Sequence, residues 1–258
     1  MTGAGRSISG GRPLERIGMH RFHVPELPHQ GALAVLERDE ARHLTQVLRL
    51  SPGDDILVFD GRGRQHAARI EVAGRQHAEA RVGPAVRAAA EPGVRLTLAA
   101  ALLKADKFDD VIRDATMMGV HAVQPLVTDR TEVPAARAGS GARMERWRRV
   151  ALSAVKQSGR AWLPDVMEPR GLHTALAGLA RPLIVLAEPS LEVAGTAVPA
   201  VPADAALLVG PEGGWSTAER EALARAGAVF LRLGGRTLRA DAAPLVAMAV
   251  LLWEWDAL

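Results

Sequence analysis

A chain of 258 residues, 48% hydrophobic and 24% charged, can bury a sizeable core and has the composition of an ordinary folded protein in water. It has no cysteine, which excludes a disulfide framework and thiolate metal sites, and no apolar run nears the roughly 18 residues of a membrane span, so a cytoplasmic protein without membrane or metal is expected. The formal charge is +3, and all but three of the 32 basic residues are arginines, a bias that GC-rich coding explains better than phosphate binding.

The excess charge is uneven along the chain. Residues 1–90 hold 13 arginines against 10 acids and six of the eight histidines, which points to an anionic partner at that end. The opening MTGAGRSISGGRPLERIG has no apolar core of a signal peptide and reads as a disordered leader over residues 1–18.

From residue 19 to about 88 the runs are short and β-like: RFHV, ALAVLE, DILVFD, HAARIEVA and HAEARVGPAV, separated by turn signals such as Ser51-Pro52-Gly53-Asp54. One helix is expected among them near Asp39–Leu50, with Leu44, Val47 and Leu48 at helical spacing. So many strands in so short a length predict a small barrel. Ala88–Gly93 reads as a linker, and from residue 93 to 258 the period changes.

VRLTLAAALL (94–103) is a continuous apolar strand, followed by a helix over Lys107–Met118 and the strand HAVQPLV. Thr131–Ala142 is a polar loop, and Met144–Gly159 a basic helix. Then come helix Leu172–Leu179, strand Pro182–Ala187, strand Ala206–Val209, helix Thr217–Ala226, strand Val229–Leu233 and a helix near Ala243–Trp255. Buried strands alternating with helices predict an α/β domain, a parallel sheet covered on both faces.

In such sheets ligands sit beyond the carboxyl ends of strands. Three exits carry unusual residues: Leu186-Ala187-Glu188-Pro189, Val209-Gly210-Pro211-Glu212-Gly213-Gly214 and Leu233-Gly234-Gly235-Arg236-Thr237-Leu238-Arg239. On neighbouring strands they would form one pocket, suited to a ligand met through backbone groups, such as an adenine edge. The second run lacks the lysine of a phosphate-cradling loop, and no GxGxxG opens a helix after a strand. Alone, that run also reads as an ordinary helix start, with Ser216 or Thr217 as N-cap and Glu219 in the first turn.

GPEGGWSTAERE (210–221) followed by LGGRTLRADAAP (233–244) resembles the bacterial RsmE-type 16S rRNA (uracil-N3)-methyltransferases of the SPOUT superfamily. MHRFHV (19–24), ARHLTQVLRLSPGDDILVFDGRG (41–63), LLKADKFDDVIRDATMMGVHAVQPLVTDR (102–130) and RWRRVALSAVKQSGRAWLPDV (146–166) extend the likeness in family order. The resemblance implies a SPOUT-type α/β domain with a C-terminal trefoil knot, preceded by a PUA-like RNA-binding β-barrel. It implies S-adenosyl-L-methionine bound by the knot loops, a homodimer, and 16S rRNA or the 30S subunit as partner, methylated at N3 of uridine 1498 in ribosomal numbering.

Carried over by position, Leu186, Gly210, Glu212, Gly213, Leu233, Leu238 and Ala243 would shape the cofactor pocket. Arg239 would stabilise charge on the uridine or anchor a phosphate, and Asp241 would orient it or help remove the proton. RNA contacts are expected from Arg21, Arg42, His43 and Arg49 on the barrel and from Arg130, Gln157 and Arg160 on the second domain. The chain departs from the family's Arg-Ile-Leu-Arg-Thr-Glu-Thr-Ala run. Here residues 236–243 read RTLRADAA, so two hydroxyls are missing and the carboxylate is one methylene shorter. Two alternatives stand beside this reading: a SPOUT enzyme acting on another RNA atom, such as a ribose 2′-oxygen, and an RNA-binding module without catalysis.

Overall fold

In a computed structural model of the chain, the described residues are 19–104, 106–133, 139–189, 191 and 198–257. The expected leader, residues 1–18, lies outside them, as does part of the Thr131–Ala142 loop.

The first unit is a five-stranded sheet of β1 (Arg21–His23), β2 (Leu33–Leu36), β3 (Asp55–Phe59), β4 (Gln65–Ala73) and β5 (Ala78–Ala85), in the order β1-β3-β4-β5-β2. Alternation puts Phe22, Ala34, Leu36, Ile56, Val58, Ala68, Ile70, Ala80 and Val82 into one core. Each fully buried large apolar side chain there contributes about 1.5–3 kcal/mol.

The single helix expected over Asp39–Leu50 is instead α1 (Arg38–Arg42) running into a wider π-type turn, His43–Val47. The Thr45 hydroxyl donates to the Ala41 carbonyl at 2.8 Å, competing with regular helix pairing, and Arg49 takes a left-handed φ of 56° that ends the run.

The second unit is a seven-stranded sheet whose mapped pairings are all parallel. Its strands are β6 (Arg95–Ala101), β7 (Ala122–Val127), β8 (Asp165–Val166), β9 (Arg170–Gly171), β10 (Leu183–Leu186), β11 (Asp204–Val209) and β12 (Val229–Leu231). The order is β12-β10-β11-β6-β7-β8, with β9 also on β7. Both faces are covered, as the continuous apolar strands require. Ala205, Leu207 and Val209 of β11 face the helices α2 (Lys107–Met117), α3 (Gly141–Ser158) and α6 (Ala243–Glu254). Ala206 and Leu208 face α4 (Leu172–Leu176) and α5 (Thr217–Arg225). The two-residue strands β8 and β9 carry no periodicity and were not expected.

The units meet in a built seam. Phe59 of the first unit packs with Val155 and Ala161 of the second. Arg21 lies over the Phe59 ring and donates to the carbonyls of Val155 at 2.6 Å, Lys156 at 3.2 Å and Arg160 at 2.6 Å. Lys156 pairs with Glu40 at 2.5 Å, and Gly63 N–H donates to the Ala161 carbonyl at 3.0 Å.

Candidate functional site

The three unusual strand exits belong to β10, β11 and β12, which are neighbours in the sheet, so their loops meet. Together they line a cavity of about 630 Å³ that contains every residue expected around the cofactor: Leu186, Gly210, Glu212, Gly213, Leu233, Leu238 and Ala243. Arg239 lines it as well; Asp241 stands just outside. The volume falls within the roughly 300–1,000 Å³ of small-molecule sites.

The local sequence explains the shape of the central loop. Gly214 has φ +69°, and a Cβ there would stand 1.6 Å from Glu188 Oε1. A Cβ on Gly210 would touch the Trp215 ring at 3.1 Å, and one on Gly213 the Arg130 side chain at 3.3 Å. Beyond the loop, α5 starts with a capping box: Ser216 Oγ accepts from Glu219 N–H at 3.2 Å and Glu219 Oε2 accepts from Ser216 N–H at 2.8 Å. Glu219 is buried, and its other oxygen accepts from the Asp129 N–H at 2.9 Å, tying the β7 exit to the loop. The helix start anticipated from the sequence is therefore present, and it also braces the cavity wall.

Arg239 donates to both oxygens of Asp241, Nε at 3.1 Å and Nη2 at 2.7 Å, while remaining 77% exposed. The hydrogen bonds from Arg239 hold the Asp241 carboxyl below the usual carboxylate range and push Arg239 up in turn. Glu212 on the opposite loop faces Lys107 at 3.6 Å.

The residues expected to meet RNA divide. Arg42 and Arg49 are exposed on the first unit, and Gln157 is exposed near the end of α3. His43 is half-buried, and desolvation lowers its pKa. Arg130 is exposed at the mouth of the cavity, donating to the Gly213 carbonyl at 2.6 Å.

Arg21 and Arg160 are corrected by the structure, because both are consumed in the seam. Burial pulls Arg21 down to about 10, still cationic at neutral pH, with its donors on three carbonyls and Gln65. Arg160 is 3% exposed, pairs with Glu91 at 2.5 Å and donates to the carbonyls of Thr116 and Val120. All five Arg21 donors are engaged, and Arg160 is buried with four of its five N–H groups engaged, so neither guanidinium faces a phosphate. Sequence reasoning marked Glu188 as a charge at a strand exit without giving it a place in the site, and it did not single out Trp215. Both line the cavity, and both carry a buried polar atom, Glu188 Oε1 and Trp215 Nε1, without a hydrogen-bond partner among the described residues.

Comparison with known proteins matches this arrangement. A family model described as an RNA methyltransferase domain covers residues 90–252, and one described as an RNA methyltransferase PUA domain covers residues 36–83. The ribosomal RNA small subunit methyltransferase E of Mycobacterium bovis is 37% identical over 92% of this chain and 93% of its own. The crystal structure of a ribosomal RNA small subunit methyltransferase E from Neisseria gonorrhoeae bound to S-adenosyl methionine superposes with a TM-score of 0.83 at 32% identity, covering 92% of this chain and 98% of that one. A methyltransferase from Legionella pneumophila in complex with the same cofactor gives 0.84 at 27% identity, covering 92% and 98%. With a parallel α/β sheet, a PUA-type domain and relatives of this closeness, the chain belongs to the ribosomal RNA small subunit methyltransferase E family.

Proposed function

We propose that the protein transfers a methyl group from S-adenosylmethionine to N3 of a uridine in 16S rRNA, uridine 1498 in ribosomal numbering, acting as a homodimer on the rRNA or the 30S subunit. The observation that carries this reading is the convergence of three strand exits on one cavity with Arg239 on its wall. The cavity fits the cofactor: it has the volume, glycines at 210, 213 and 214 that bring backbone to its surface, and an unpartnered carboxylate oxygen. When bound there, S-adenosylmethionine supplies an activated methyl group.

The protein's task is then mostly positioning. N3 lies on the Watson–Crick edge, so the uridine must be held unpaired against the cavity. Arg239, exposed and fixed by Asp241, stabilises negative charge on the carbonyl oxygens flanking N3 as the imide proton passes to solvent water at this exposed end of the cavity. Asp241, held below the usual carboxylate range, is a weak base and serves to orient Arg239. Exposed Arg42, Arg49, Arg130 and Gln157, with half-buried His43, would hold the RNA backbone.

The trefoil knot belongs to this reading through the family likeness, and the strand order β12-β10-β11 accommodates it. The dimer is supported by the outer face of α6, where Val246 is 40% and Trp253 74% exposed.

Mapping methylated nucleotides in 16S rRNA from cells with and without the protein tests the reaction. A 3-methyluridine that depends on the protein is expected, and a mark on another atom, such as a ribose 2′-oxygen, overturns the assignment. Arg239→Ala at saturating cofactor should lose about 100-fold or more in turnover; full activity would remove Arg239 from the mechanism.

A further inference from the structure

The exit of β7 braces the central loop of the cavity from outside. Thr128 and Thr131 close that exit as a turn: the Thr128 N–H donates to Thr131 Oγ1 at 3.0 Å, and the Thr131 N–H donates to the Thr128 carbonyl at 3.0 Å. The two residues at its tip both grip the loop. Asp129 donates its N–H to Glu219 Oε1 at 2.9 Å and accepts from the Ser216 hydroxyl through Oδ2 at 2.6 Å. Arg130 donates through Nη1 to the Gly213 carbonyl at 2.6 Å, and its stem lies against Gly213, 3.3 Å from where a Cβ would stand.

That carbonyl belongs to the peptide between Gly213 and Gly214, both of which line the cavity. Glycine on either side leaves a peptide plane free to turn over, because neither residue has a Cβ to oppose the change in ψ and φ. A turned plane would redirect one carbonyl and one N–H in the cavity wall. Here both ends of the plane are tied, the Gly214 N–H to the Pro211 carbonyl at 2.9 Å and the Gly213 carbonyl to Arg130. The first tie is internal to the loop, so Arg130 anchors the plane from outside it. The anchor is also open to water. The Arg130 side chain is exposed, and one of its N–H groups is engaged among the described residues, which leaves most of a planar fork at the mouth of the cavity, the geometry that grips a phosphate.

We propose that Arg130 is a positioning residue that couples RNA to the cofactor: one N–H aims the Gly213 carbonyl, the rest of the fork takes an RNA phosphate, and each ligand thereby tightens the other. The proposal rests on the reading that the cavity takes S-adenosylmethionine and that RNA is the substrate. An exposed arginine held by one hydrogen bond keeps much of its rotamer freedom, so its hold on Gly213 is incomplete. A phosphate on the free donors immobilises the side chain, and that ordering is already met when the cofactor binds against the fixed loop. Linkage requires the effect to run equally in both directions.

Equilibrium dialysis of S-adenosylhomocysteine against the full chain, with and without saturating 16S rRNA from cells lacking the protein, tests this. In the wild type the RNA should tighten S-adenosylhomocysteine about three- to tenfold, the worth of ordering one rotamer-rich side chain. Arg130→Lys keeps the charge, but a compact ammonium cannot fork to a carbonyl and a phosphate together. RNA should still bind this variant, and the tightening should vanish. In Arg130→Ala, which has neither contact, the RNA effect should be absent as well. Equal affinities with and without RNA in the wild type overturn the proposal, and so does full coupling in either variant. A loss of S-adenosylhomocysteine affinity in Arg130→Lys that leaves the RNA effect intact makes Arg130 a brace of the loop alone. A wild type that binds RNA but not S-adenosylhomocysteine, or the reverse, sinks the underlying reading of the cavity or of the substrate, an outcome distinct from two ligands that bind independently.

Discussion

At Gly214 two independent constraints meet, a backbone φ of +69° and a Glu188 oxygen 1.6 Å from where a Cβ would stand. Left-handed backbone alone costs an L-residue about 1–2 kcal/mol, and the clash adds displacement of Glu188. Gly214→Ala should therefore lower stability by about 2 kcal/mol and abolish measurable S-adenosylmethionine binding. Gly210→Ala asks only a few tenths of an ångström of the Trp215 ring, and should weaken binding partially. Calorimetry on the two variants checks the order; a Gly210 effect exceeding that of Gly214 would be fatal to this account. The sequence showed that these glycines were conformationally special but not what they accommodate, because Glu188 comes from another strand exit. Arginine shows the converse limit. Arg21 and Arg49 look alike in the sequence, yet one is sealed under the seam and the other exposed, and that difference lies in tertiary packing.

Among the elements, the order of strands and helices followed from periodicity, since long apolar or alternating runs leave little choice. The misses have local causes: β8 and β9 are too short for a pattern, and the π-type turn after α1 depends on one hydroxyl's competition for a carbonyl. The element with the most consequence is α3. It ends at Gly159 in a left-handed conformation (φ +82°), and Arg21 from β1 supplies donors to its terminal carbonyls. A cation at a helix C-terminus also complements the helix dipole. Arg21→Ala should cost about 2–3 kcal/mol, the worth of charged hydrogen bonds on buried carbonyls. Lysine should rescue little, because one ammonium cannot fork to Val155, Arg160 and Gln65 together. Urea denaturation measures the loss, and an unchanged midpoint would mean that the seam holds without Arg21.

Over the whole molecule, the stretch that reads as a linker is pinned: Ala89 N–H donates to the Gly159 carbonyl at 3.0 Å and Glu91 pairs with Arg160. A continuous seam makes stability a joint property of both units, and its titration is calculable in sign. Desolvation lowers the pKa of His23, whose neighbours include Glu40, Asp60 and Lys156, and that of His43 beside the same Glu40 and Lys156. His121, stacked on Trp162 near Arg95 and Asp204, is lowered for the same leading reason. A histidine with a depressed folded pKa is neutral in the fold while its unfolded form still takes a proton. The unfolded state then binds more protons, so stability rises with pH through the window between the folded value and 6.5, and levels off above it. Asp60 is lowered despite its burial, by hydrogen bonds from Arg62 and Arg64, and its contribution is lost only as pH falls below its ordinary 3.8. A scan from pH 8 to pH 5 therefore isolates the histidines. Tm should be level above about 6.5 and fall steadily below it, and His23→Gln should flatten part of that fall. A Tm that holds constant down to pH 5 would show that these half-buried rings take up protons without strain.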